Sequence, residues 1–149
     1  MKEFDIQNNR FKHHVAGYGV GDLSHNDIYA ELEDRRGNVW MGTNGGGVSV
    51  LNPQTGLVTK HRFNENDTTG LSNDFVRSLH EDIDGTIWIG TYLGGISVYH
   101  PGTKKFSRLT KLNSNLGSDV VTAIARDKAG NMRIGTAGGG LNLYNRKTK

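Results

Sequence analysis

The chain has 149 residues, 21 glycines, 2 prolines, no cysteine and a formal net charge of +3. That length suits one domain, and the missing cysteine excludes disulfides and thiolate metal centres. No apolar run approaches the ~20 residues of a membrane-spanning helix, and lysine and arginine are spread along the chain rather than gathered with aromatics, so neither membrane contact nor nucleic-acid binding is expected.

In chain order, "FDIQNNRFKHHV" comes first. Laying Phe11 on Phe106 sets Phe4 on Tyr99, so this stretch reads as the end of one strand, a turn and an outer strand. "NVWMGTNGGGVSVLNP" follows, then "TIWIGTYLGGISVYHP", then "NMRIGTAGGGLNLYNR". The repeat is extensive. Residues 22–53 and 70–101 align without a gap, and 13 of the 32 positions are identical. Leu23, Leu71 and Leu116 open the three copies. Asp34, Asp82 and Asp127 share a column; so do Gly42, Gly90 and Gly135. Self-similarity at a period in the forties signals a repeat architecture.

The second copy shows the unit. Val76–Glu81 predicts strand A, and "DIDG" turns the chain. Ile87–Thr91 predicts strand B, and "YLGG" turns it back. Ile96–Tyr99 predicts strand C, "HPGT" turns again, and Lys105–Leu109 predicts strand D. Asp, Asn and Gly suit such turns, and β-branched and aromatic residues suit the strands. No stretch of eleven residues or more carries a helical period. Strand B is apolar on both faces, so each sheet needs cover on both sides. Four-stranded antiparallel meanders stacked face to face around an axis are the blades of a β-propeller. The expected fold is therefore all-β, with blades at 22–69, 70–114 and 115–149, the last lacking its outer strand, and residues 1–21 supplying an outer strand to a split blade. Trp40 and Trp88 are expected to fill the layers between blades, and the strand B glycines to let blades approach. Arg133 stands where the other copies have tryptophan.

"SNDFVRSLHEDIDGTIWIGTYLGGISVY" resembles the two-component-regulator propeller repeat, as do residues 24–51 and 118–144. The resemblance implies the extracytoplasmic or periplasmic sensor region of a bacterial hybrid histidine kinase, many of which are linked to carbohydrate sensing. Kinase chemistry is not implied, because no kinase motif stands in this chain.

Closed propellers typically have four to eight blades. Two copies of this chain would make a six-bladed ring, so a homodimer is expected, with residues 4–15 of one protomer pairing with residues 141–145 of the other. The alternative is that the chain is a part of a longer sensor.

No motif calls for catalysis. His13 and His14 are neighbours on a predicted strand and point to opposite faces. "DIDG" lacks the later acidic ligand of a calcium loop, since Leu93 stands there. The glycine-rich turns do not open a helix, so they are not phosphate cradles. No enzyme activity, metal or cofactor is expected. A ligand site is expected where the D–A loops (22–27, 70–75, 115–120) and the B–C turns share one face. Its candidate residues are His25, Asn26, Asn44, Asn73, Asp74, Tyr92 and Ser118, which suit the hydroxyls and ring faces of an oligosaccharide. Ser24, Ser72, Asp27 and Asp119 are read as turn caps. A structural or protein-interaction scaffold with no small ligand is the alternative.

Overall fold

The computed structural model describes residues 2–5, by backbone only, and 7–145. The elements in chain order are β1 (Lys2–Asp5), β2 (Arg10–His13), β3 (Ile28–Glu33), β4 (Val39–Thr43), β5 (Val48–Leu51), β6 (Val58–His61), β7 (Val76–Glu81), β8 (Ile87–Thr91), β9 (Ile96–His100), β10 (Lys105–Leu109), α1 (Lys111–Ser114), β11 (Val121–Arg126), β12 (Met132–Thr136) and β13 (Gly140–Tyr144). They form three antiparallel meanders and a hairpin: β3-β4-β5-β6, β7-β8-β9-β10, β11-β12-β13 and β1-β2. These are two complete blades, a third with strands A to C, and a C–D hairpin before the first. α1 is a single turn in the connection from blade 2 to blade 3.

Turn chemistry sets the blade. Gly37, Gly85 and Gly130 close the A–B turns at φ +79°, +83° and +91°, where only glycine sits without a Cβ penalty. Their N–H groups donate to the carbonyls of Asp34, Asp82 and Asp127. The C–D turns need a left-handed residue too, and Asn9, Gly56 and Lys104 supply it. The register agrees: Phe4 pairs with Phe11 as Tyr99 pairs with Phe106. The N-terminal hairpin is therefore the C–D hairpin anticipated from its sequence.

The core lies between the sheets. Trp40, Val48, Leu71, Val76, Ile87, Ile89 and Phe106 fill the layer between blades 1 and 2. Trp88, Ile96, Val98, Leu116, Val121, Ile124, Met132 and Ile134 fill the layer between blades 2 and 3. Both tryptophans are nearly enclosed, at 3% and 4% exposure. Along strand B, alternation puts Trp88 and Gly90 toward blade 3, and Ile87 and Ile89 toward blade 1. In blade 3 the equivalent outward positions are Arg133 and Gly135, on the flank that no described blade covers. There Arg133 is exposed, so an arginine costs no buried charge.

One side chain clasps blade 1 to blade 2. Arg35 donates from Nε to Glu81 Oε1 at 2.6 Å, from one terminal nitrogen to the Ile83 carbonyl at 2.8 Å, and from the other to the Asp82 carbonyl at 2.6 Å. The innermost strands β3, β7 and β11 lie side by side in that order. They place the start of each strand A near the axis.

Candidate ligand site

The D–A loops and B–C turns do share one end of the blades. Asn44, Tyr92 and Ala137 donate their backbone N–H to the carbonyls of Asp27, Phe75 and Val120 within each blade. Between blades, Gly47 donates to the Asp74 carbonyl and Gly95 to that of Asp119.

Most polar side chains of these loops hold backbone. His25 Nδ1 accepts from the Asp27 N–H at 3.0 Å, Asn73 Oδ1 from Phe75 at 2.8 Å, and Ser118 Oγ from Val120 at 3.2 Å. These three occupy one column of the repeat. The next column clamps the chain leaving the previous blade. Asn26 Oδ1 accepts from the Ala16 N–H at 2.7 Å, Asp74 Oδ1 from Phe63 at 2.7 Å, and Asp119 Oδ1 from Lys111 at 2.8 Å. Ser24 and Ser72 hydrogen-bond Ser49 and Ser97 on strand C of the same blade. Local side-chain-to-backbone bonding of this kind is what Ser, Asn and Asp do in turns.

In a second set, two of three side chains are free of that task. Each strand A carries a β-bulge at its first turn: the pairing slips between Ile28 and Ala30, between Val76 and Ser78, and between Val121 and Ala123. The extra residues are Tyr29, Arg77 and Thr122, again one column of the repeat. A bulge re-aims its side chain and leaves it out of the ladder. Here all three converge, with Tyr92 and Val120, on a cavity of about 430 Å³. The Arg77 guanidinium carbon sits 4.5 Å from the Tyr29 ring centroid and 5.7 Å from that of Tyr92. Both distances lie within cation–π range. Among the described residues nothing accepts a hydrogen bond from this guanidinium. Thr122 Oγ1 donates to the Gly135 carbonyl at 3.1 Å. Tyr29 and Tyr92 are each about half exposed.

A larger groove of about 550 Å³ opens at the other end, between the A–B and C–D turns of blades 1 and 2. Much of its polarity is already spent. Trp40 Nε1 donates to Asp34 Oδ2 at 2.9 Å, and Arg35 is taken up by Glu81. Burial pushes the Asp34 carboxyl up, but bonds from Trp40, Asn38 and Arg36 outweigh it and hold the group below the usual carboxylate range. His61 stacks on Trp40 at 6.1 Å between centroids, and burial lowers its pKa. The groove is thus walled by an inter-blade aromatic cluster and the Arg35–Glu81 ion pair. No group of three or more metal-ligating side chains occurs among the described residues.

Of the sequence-derived candidates, Tyr92 lines the axial cavity. His25, Asn26, Asn73, Asp74 and Ser118 make the backbone bonds above, and Asn44 stands on the B–C turn of blade 1. Tyr29 and Arg77 were missed. The available signal was a column in which the copies disagree in kind, Tyr then Arg then Thr, amid columns that repeat.

The family described as two component regulator propeller matches residues 22–45 and 70–93. Both stretches match the two-component regulator propeller repeat. Each runs from the D–A loop to the B–C turn of its blade, and so carries the bulge residue, Tyr29 or Arg77. No curated protein matches the chain. The solved structures supply the fold. The extracellular domain of a hybrid two-component system from B. thetaiotaomicron aligns with a TM-score of 0.77 at 23% identity, over 93% of this chain and 19% of that one. PorZ, a surface component of the type-IX secretion system of Porphyromonas gingivalis, aligns with a TM-score of 0.72 at 22% identity, over 94% and 20%. Virginiamycin B lyase from Staphylococcus aureus aligns with a TM-score of 0.58 at 17% identity, over 82% and 43%. The chain thus spans about a fifth of the length of the first two. No helix among the described residues is long and apolar enough to cross a membrane.

Proposed function

We propose that this chain is a non-catalytic ligand-sensing propeller module of the extracytoplasmic kind, and that it takes an oligosaccharide at the axial cavity. One observation carries this reading: three equivalent bulges aim Tyr29, Arg77 and Thr122 into one cavity, and the sheet ladders do not use them. Residues kept out of the ladder at matching places serve something other than the blade. The cavity lies within the usual size range for small-ligand sites, and the flat faces of Tyr29 and Tyr92 suit the apolar face of a sugar ring. The resemblance to extracellular domains of two-component systems supports the sensor role and the extracytoplasmic setting.

A thermal-shift screen against neutral and acidic oligosaccharides tests it, because a ligand that binds only the folded state raises Tm. The expected result is a shift that disappears in Tyr92→Ala. A flat response across a broad panel would favour the scaffold reading, in which the loop face serves only to join blades.

A further inference from the structure

We infer that the ligand of the axial cavity is anionic, a saccharide carrying a carboxylate on its ring, and that Arg77 receives that carboxylate. This inference rests on the axial cavity being the ligand site.

Arg77 is a permanent cation. Its charge is answered among the described residues only by two ring faces, Tyr29 at 4.5 Å and Tyr92 at 5.7 Å. The other groups lining the cavity are Val120 and Thr122, so no carboxylate shares the space. The other arginines of the two complete blades that meet acceptors show the contrast. Arg35 grips Glu81 and two carbonyls, and Arg108 donates to the carbonyls of Asp67, Gly70 and Leu71. Arg77 is kept from such partners by its bulge, which turns it from the ladder into the cavity. Rings near its faces leave the N–H fork, in the guanidinium plane, as the part able to bind. A planar fork matches a carboxylate with two parallel hydrogen bonds. The tyrosine faces beyond it would carry the ring to which that carboxylate is attached.

The test uses the whole chain and three probes: trigalacturonate, its fully methyl-esterified form, and neutral maltotriose. Calorimetric titration should show the acid binding about 10- to 100-fold more tightly than the ester, the worth of a charge-assisted hydrogen-bond pair. Arg77→Gln should abolish that preference, so that acid and ester bind alike, while Arg77→Lys should keep part of it. Circular dichroism and Tm check that both variants fold. The Arg77 Nε–H resonance, identified by its loss in Arg77→Lys, should move on adding the acid. Acid and ester bound equally, with both weakened by Tyr92→Ala, would overturn the anionic assignment while the saccharide site stands. Maltotriose bound in place of the acid would do the same. Absence of binding by all three would overturn both.

Discussion

Adding one methyl group to strand B should separate the layers that matter from the one that does not. Gly42, Gly90 and Gly135 occupy one column, and none needs a positive φ. A Cβ at Gly42 would overlap Val76 Cγ1 and approach Val76 Cβ to 3.1 Å. At Gly90 it would overlap Ser78 Oγ and meet Val121 Cγ1 at 2.6 Å. Val76 and Val121 open strand A of the next blade and are fully buried. At Gly135 the nearest atoms are Thr122 Oγ1 at 3.4 Å and Ala123 Cβ at 3.6 Å, ordinary contact. Carbon atoms prefer roughly 3.5–4.0 Å, so Gly42→Ala and Gly90→Ala must push blades apart. Overpacking costs about 1–3 kcal/mol, and the lost freedom of glycine in the unfolded chain returns about 0.5–1 kcal/mol. The net loss is up to about 2.5 kcal/mol, a fall of up to about 10 °C in Tm for a chain of this size. Gly135→Ala has only the gain, a rise of about 1–4 °C. Thermal melts followed by circular dichroism at one protein concentration decide it. Equal destabilisation at all three positions would refute the idea that this column exists for blade-to-blade contact.

Three further outcomes follow from the same geometry. Arg35→Ala removes three charge-assisted donations across blades 1 and 2, but the side chain is half exposed, so the expected loss is about 1–2 kcal/mol by urea denaturation. An unchanged midpoint would mean the clasp is idle. Burial lowers the pKa of His61 and, with Arg126 adding to it against Asp82 and Glu81, that of His80. The unfolded chain then binds protons more readily below the ordinary histidine value of 6.5, so this stability is present above that pH and lost as pH falls below it. His61→Phe keeps a ring against Trp40 and should flatten the stability slope between about pH 7 and 5; a slope equal to that of the parent would remove His61 as its source. Finally, Leu141 and Leu143 on β13 are 74% and 60% exposed, and no described strand pairs with the outer edge of β13. An open edge and an apolar flank favour pairing with a second copy, so light scattering should return twice 16.4 kDa, and a stable monomer would count against the six-bladed ring.

The chain's own letters determine the blade. Asp-x-x-Gly before each strand B, Gly-Gly before each strand C and a left-handed residue before each strand D are local requirements of turns. Their recurrence exposes the meander without any knowledge of what packs on what. Even the N-terminal hairpin is legible, because Phe4 and Phe11 stand to each other as Tyr99 and Phe106 do. The axial site is different. Asn26, Asp74 and their neighbours have the chemistry of a polar pocket, yet backbone N–H groups from preceding blades occupy them, and that depends on where a chain leaving one sheet passes the next. Tyr29, Arg77 and Tyr92 are brought together by bulges and by the angle between adjacent sheets. A bulge is a slip between two paired strands, and an inter-blade angle is set by how side chains interlock across a layer. Both arise from packing between distant segments, so only the tertiary structure could decide them.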